Sequence, residues 1–140
     1  MKRLRITLPA LAIAATLASA CGSNAGTEPV VTSVAGTWAL TAVNGKPLPY
    51  VYAVSDPKLE LISKQYVITA AGMFFTSFTL RGTELDGTVN TTTSTDSGTD
   101  TLADNTVSFV YRSDGSVVTA HVSATTMTID GNVTQVFTRQ

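Results

Sequence analysis

Three kinds of side chain in this 140-residue sequence could carry chemistry: one imidazole, one thiol and a short series of aspartates. His121 is the sole histidine. It would serve as a general base if a serine such as Ser108 or Ser123 stood beside it. No nucleophile elbow or oxyanion loop accompanies it, and Val118, Ala120 and Val122 take the apolar side of its segment, so His121 is expected on an exposed strand face. Asp96, Asp100 and Asp104 suggest calcium by their closeness, yet they lack the ordered oxygen spacing and closing glutamate of an EF-hand loop. A lone cysteine, Cys21, can build neither a disulfide framework nor a thiolate metal site. The expectation is a non-enzymatic protein with no metal and no cofactor.

The elements that would position these groups read as short strands. Trp38, Leu40 and Ala42 alternate with Thr37, Ala39, Thr41 and Val43, which puts the large apolar groups on one face of a first strand. Asn44-Gly45 then turns the chain, and Pro47 and Pro49 keep the next residues out of a central strand. Lys58 to Ile62 and Gln65 to Ala70 read as a hairpin about a Ser63-Lys64 turn. Met73 to Arg81 carries Phe74, Phe78 and Leu80 on one face; Leu85 to Thr95 is Thr-rich and suits an exposed strand; Asp96 to Asp100 reads as a polar loop. Val107, Phe109 and Tyr111 alternate in the next strand, and Asp114-Gly115 and Asp130-Gly131 close two further hairpins, the last leading through Val133, Gln135 and Phe137 to Arg139. Eight or nine strands joined by hairpins imply an all-β, antiparallel up-and-down barrel, with a two-sheet sandwich as the alternative. Tyr50 and Tyr52 lie in a loop too apolar for a plain connection, so they either cover an open end as a lid or plug the barrel.

The amino-terminal segment has a different character. Lys2, Arg3 and Arg5 precede a mostly apolar run from Ile6 to Leu17 and the small residues Ala18-Ser19-Ala20, the layout of an export signal over residues 1–20. Leu17-Ala18-Ser19-Ala20-Cys21 resembles the lipobox of bacterial lipoproteins, although Leu17 stands one place earlier than the usual leucine. That resemblance implies cleavage before Cys21, lipidation of its thiol by diacylglycerol and acylation (a palmitate-type chain) of its amine. Several acyl chains would make a stable membrane anchor. Gly22 after the cysteine favours the periplasmic side of an outer membrane. Residues 21–33 are polar and read as a flexible tether, leaving 34–140 as the domain. The formal charge is −1; without the three basic residues of the signal, six Lys and Arg face ten acidic residues, about −4. An acidic surface excludes a nucleic-acid partner, which demands a basic stripe.

Gly36-Thr37-Trp38 resembles the Gly-x-Trp signature opening the first strand of lipocalins and related calycin barrels, and the longer string Gly36 to Pro49 resembles the start of lipocalin-like domains in bacterial lipoproteins. The resemblance implies that an arginine late in the barrel packs across the tryptophan, with Arg139 the candidate over Trp38. A lipid-anchored, monomeric envelope protein follows as the expectation, binding a small hydrophobic molecule in a cup lined by Leu40, Phe74, Phe78, Phe109, Tyr111 and Phe137 and entered past Tyr50 and Tyr52. The alternative is a barrel filled by those same side chains that binds an envelope partner on its outer face. Strand number does not choose between them, because a barrel of about eight strands can be filled or can hold one small ligand.

Overall fold

The computed structural model describes residues 28–140; the expected signal peptide, Cys21 and residues 22–27 lie outside the described residues. The strands are β1 (Gly36–Val43), β2 (Lys46–Pro47), β3 (Tyr50–Ala53), β4 (Lys58–Ile68), β5 (Met73–Thr83), β6 (Val89–Ala103), β7 (Thr106–Tyr111), β8 (Val117–Val122), β9 (Thr126–Ile129) and β10 (Gln135–Arg139), with no helix among the described residues. Each strand from β4 to β10 pairs antiparallel with the next, and β1 closes the ring by pairing with both β10 and β4. The result is a closed, eight-stranded, antiparallel up-and-down barrel, lipocalin-like in architecture. β2 and β3 stand outside the ring, added to β1 and β4 where those two strands part.

Turn chemistry follows the sequence where glycine is needed. Asn44 and Gly45 both have positive φ, 49° and 72°, the conformation of the tight hairpin turn that Asn-Gly favours. The inward faces supply the core: Trp38, Leu40, Val43, Leu61, Tyr66, Ile68, Phe74, Val107, Phe109, Ala120, Val122, Met127, Ile129 and Phe137 are all buried. On β1 the register shifts between Leu40 and Ala42, so Val43 rather than Ala42 is the fully buried partner of Trp38 and Leu40. A bulge of this kind moves every later side chain to the opposite face.

Two segments differ from the sequence reading. Lys58 to Ile68 is one continuous strand, with a bulge between Leu61 and Ser63 where the Ser63-Lys64 turn was expected. The bulge changes the phase of the apolar alternation, which from sequence alone looks like two strands. The actual turn to β5 is at Thr69 to Gly72, where Gly72 has φ 74°. Asp96 to Asp100, expected as a loop, is the middle of β6, paired with β5 as far as Thr99 and with β7 from Gly98 onward. Gly98 lets β6 pass there: a Cβ on it would stand 2.0 Å from the Val110 carbonyl oxygen and 2.7 Å from the Phe74 ring.

Residues 28–35 lie across one end of the barrel as a strap. Val34 is buried, its carbonyl accepting the Trp38 indole N–H at 2.8 Å. Asn105 clamps the strap from both sides, accepting the Val31 N–H at 2.8 Å and donating to the Pro29 carbonyl at 3.2 Å. Residues 28–33, read as part of the flexible tether, are therefore held to the barrel, since their backbone groups find partners on it.

Candidate functional site

The strapped end is closed by the pair the lipocalin resemblance singled out. Trp38 and Arg139 are opposite one another in the β1–β10 ladder, and the Arg139 guanidinium carbon lies 4.6 Å from the Trp38 ring centroid. A cation over an indole contributes about 0.5–2 kcal/mol. The same guanidinium donates to the Ser33 carbonyl at 2.8 Å, tying the strap to the barrel floor.

Above that floor the interior is filled. Tyr66 stacks on Phe109 at 4.9 Å between centroids, meets Phe74 at 5.8 Å and Phe137 edge-on at 5.3 Å, and Phe74 packs edge-on against both Phe109 and Tyr111. Such pairs contribute about 0.5–1.5 kcal/mol each beyond the burial of their area. Of the eight candidate cup residues, Leu40, Phe74, Phe109 and Phe137 belong to this packed core, and Tyr111 is half-buried with its hydroxyl bonded to that of Tyr66. Burial raises the pKa of both tyrosine hydroxyls, so both remain neutral.

Space remains on the other side of the aromatic layer, toward the open end. Leu61 and Lys64 from β4, Phe78 and Leu80 from β5 and Tyr52 from β3 line a recess of about 200 Å³. The β4 bulge creates it: Leu61 and Lys64 are three residues apart and would face opposite sides of a regular strand, yet Leu61 pairs with Leu80 and Lys64 with Phe78, so both line the same recess. Tyr50 and Tyr52 meet edge-on at 5.2 Å, and Tyr50 accepts a hydrogen bond from the Asn44 amide at 3.1 Å. Tyr52 and Phe78 are thus the two expected cup residues at this recess; Tyr50 supports Tyr52 from behind.

Lys64 is the residue the sequence reading missed. Its ammonium sits 5.6 Å from the Tyr66 centroid and 5.9 Å from that of Phe137, and donates to the Gln135 side-chain carbonyl at 2.9 Å. The ion pairs among the described residues use Glu60 and Glu28, and Lys64 belongs to none of them. Burial pushes its ammonium down to about 8. Tyr66 and Ile68, both inward, place Lys64 on the same face by simple alternation, and that was the signal available in the sequence.

The other reactive groups are dispersed. His121 lies 3.1 Å from the Glu28 carboxylate on an exposed face, and the Ser123 hydroxyl bonds that of Thr126 at 2.6 Å. Asp96 accepts from the Ser97 N–H and the Ser113 hydroxyl, while Asp104 occupies a turn with φ 51°. Asp100 faces the strapped end with one buried carboxylate oxygen that has no partner among the described residues, and burial raises its pKa. No cluster of three or more His, Cys, Asp or Glu able to hold a metal occurs among the described residues. A larger depression of about 460 Å³ runs between residues 28–33 and Ser123, Ala124 and Arg139, but its wall is the strap itself, next to chain outside the described residues. Comparisons with protein-family models, curated proteins and solved structures gave no match.

Proposed function

We propose that this chain is a lipid-anchored, non-enzymatic protein of the bacterial envelope that holds a small apolar molecule in the open-end recess, the molecule presenting an anionic or strongly accepting group to Lys64. One observation carries the reading: an ammonium with no carboxylate partner among the described residues lines an apolar recess, held by one neutral acceptor, Gln135. A buried cation is costly unless paired. A carboxylate entering beside Leu61, Phe78 and Leu80 would complete its hydrogen bonds while the ligand's chain covers those side chains. At about 200 Å³ the recess is below the ~300–1,000 Å³ of drug-sized sites, so the ligand is short or leaves its tail in solvent. Octanoate is a suitable probe, with octanol as its uncharged counterpart. Calorimetry is expected to detect octanoate binding, weakened about tenfold or more in Lys64→Met, with octanol indifferent to the substitution. Octanoate that fails to bind at millimolar concentration, or binds Lys64→Met equally well, overturns the reading.

The second reading, a filled barrel docking an envelope partner on its outer face, is favoured by a separate feature. Val67 lies opposite Phe75, while Met73, Thr99, Val110 and Val117 form one cross-strand row beside them, and the large apolar members of this patch are exposed.

A further inference from the structure

Lys64 brings a nucleophile to the recess as well as a charge. Its Nζ donates to the Gln135 side-chain carbonyl at 2.9 Å and lies over the Tyr66 and Phe137 rings, which leaves its remaining directions to ring faces and to the recess. Leu61, Phe78 and Leu80 form the walls, with Tyr52 exposed at the rim. On β6, Ser94 pairs with Phe78 and Thr92 with Leu80, so both share the recess face and add hydroxyls without charge. Apolar walls favour whichever form of the nitrogen is neutral, because a buried cation without a counter-ion is costly. A carboxylate relieves that cost by pairing. A covalent bond relieves it by removing the charge.

We propose that Lys64 captures short linear aldehydes in this recess as a reversible imine. The inference rests on the reading that a short apolar chain enters the recess, and adds a bond to it. The neutral amine keeps one N–H on Gln135 and turns its lone pair to the carbonyl carbon. The C–N bond forms as the carbonyl π pair moves to oxygen, and a proton passes from nitrogen to that oxygen through water at the open end, giving a carbinolamine. The nitrogen lone pair then expels the hydroxyl, which takes a proton from solvent and leaves as water. The iminium returns a proton to solvent, so the balance is aldehyde plus amine to imine plus water, with nothing oxidised or reduced.

The neighbours suit that sequence. Gln135 is an amide, able to accept from the amine through its oxygen and to donate to the imine nitrogen through its NH2, whereas a carboxylate in its place would hold the amine charged. Burial brings the Lys64 pKa from 10.5 to about 8. Near pH 7 the amine is therefore neutral roughly 300-fold more often than an ordinary lysine. The other titratable groups turned to this interior are Tyr52, Tyr66 and Tyr111, kept neutral by burial, and Asp96, which already accepts from the Ser97 N–H and the Ser113 hydroxyl. Once the imine forms, the alkyl chain covers Leu61, Phe78 and Leu80 and keeps hydrolytic water from the C=N bond.

Octanal with cyanoborohydride tests this on the full-length wild-type chain, the reagent delivering hydride to the iminium carbon and fixing the adduct as a secondary amine. Peptide mapping by mass spectrometry at pH 7 is expected to find octyl groups on Lys64 at least tenfold ahead of the exposed Lys46 and Lys58. Propanal at the same concentration is expected to label Lys64 at least tenfold more slowly than octanal, since it covers less of the wall, and to label Lys58 at the same rate as octanal does. Labelling spread evenly over the three lysines, or equal rates for propanal and octanal at Lys64, overturns the inference. Octanoate that binds without preferential capture of octanal at Lys64 overturns it while leaving the ligand reading in place. Capture at Lys64 with no binding of octanoate upholds it and removes the carboxylate from that reading.

Discussion

At position 64 the chain places an ammonium where its ring neighbours and one amide cannot replace the water it loses. The consequence is measurable without any ligand. Burial lowers the Lys64 pKa from 10.5 to about 8 in the folded state, so between those values the unfolded chain binds more protons at this site than the folded one. Stability therefore rises with pH across that window, by roughly 3 kcal/mol in all. The buried Tyr66 and Tyr111 hydroxyls act oppositely, but only above their ordinary value of 10.0, which leaves pH 8 to 10 to Lys64. Urea midpoints are expected to climb from pH 8 to 10 in the wild type and to stay flat in Lys64→Met. At pH 7 Lys64→Met is expected to be more stable than wild type, since an apolar side chain of similar length replaces an incompletely bonded charge. A wild-type midpoint that falls across pH 8 to 10 would show that the ammonium is well solvated. Glu60 on the outer face is the contrast: its carboxylate sits 2.9 Å from Lys58 and 2.8 Å from Arg81, and their hydrogen bonds hold it below the usual carboxylate range.

Among the elements, β6 carries the strictest packing requirement. At Gly98 the strand crosses the Phe74 ring and the Val110 carbonyl so closely that no Cβ fits without moving backbone. Gly98→Ala is expected to cost about 3 kcal/mol, the upper part of the range for overpacking, because a carbonyl cannot swing aside as a side chain can. Gly131→Ala, with open space around it, is expected to change stability by less than about 0.5 kcal/mol. Equal urea midpoints for the two variants would refute the close crossing. The same strand marks how far the sequence was legible. Regular hairpins with Asp114-Gly115 and Asp130-Gly131, and the alternations in β7 and β8, were readable because each residue's face follows from its neighbour. The run through Asp96 to Asp100 was not, since its strand state comes from pairing with β5 and β7 on either side rather than from its own propensities. Lys64 was missed for a related reason: the phase change at the β4 bulge reads as a turn at Ser63-Lys64, which separates Lys64 from the Tyr66 and Ile68 alternation it belongs to. Whether the aromatic side chains would line a hollow or meet in the middle was beyond alternation, which gives direction and not distance.

For the molecule as a whole, the strap sets which way the barrel faces. Trp38, Arg139 and Asn105 hold residues 28–35 across one end, while the recess with Lys64 and the Glu84 to Thr88 turn belong to the other. Under the proposed anchor at Cys21, six residues separate it from Glu28, a reach of roughly 25 Å over the seven steps of a fully extended chain. The strapped end then stays near the bilayer. The eleven residues of β5 carry the chain away from it by roughly 25 Å even at a barrel tilt of ~40°. The recess accordingly faces away from the membrane, open to a soluble ligand. A fluorophore at Thr125→Cys, beside the strapped end, is expected to be quenched several-fold more by a headgroup-linked quencher than one at Asp86→Cys, in the turn after β5. Adding Cys21→Ser is expected to release both variants to the soluble fraction and abolish quenching at either position. Equal quenching at the two sites would mean that the strap does not orient the barrel. Membrane retention after Cys21→Ser would remove the anchor on which that orientation depends.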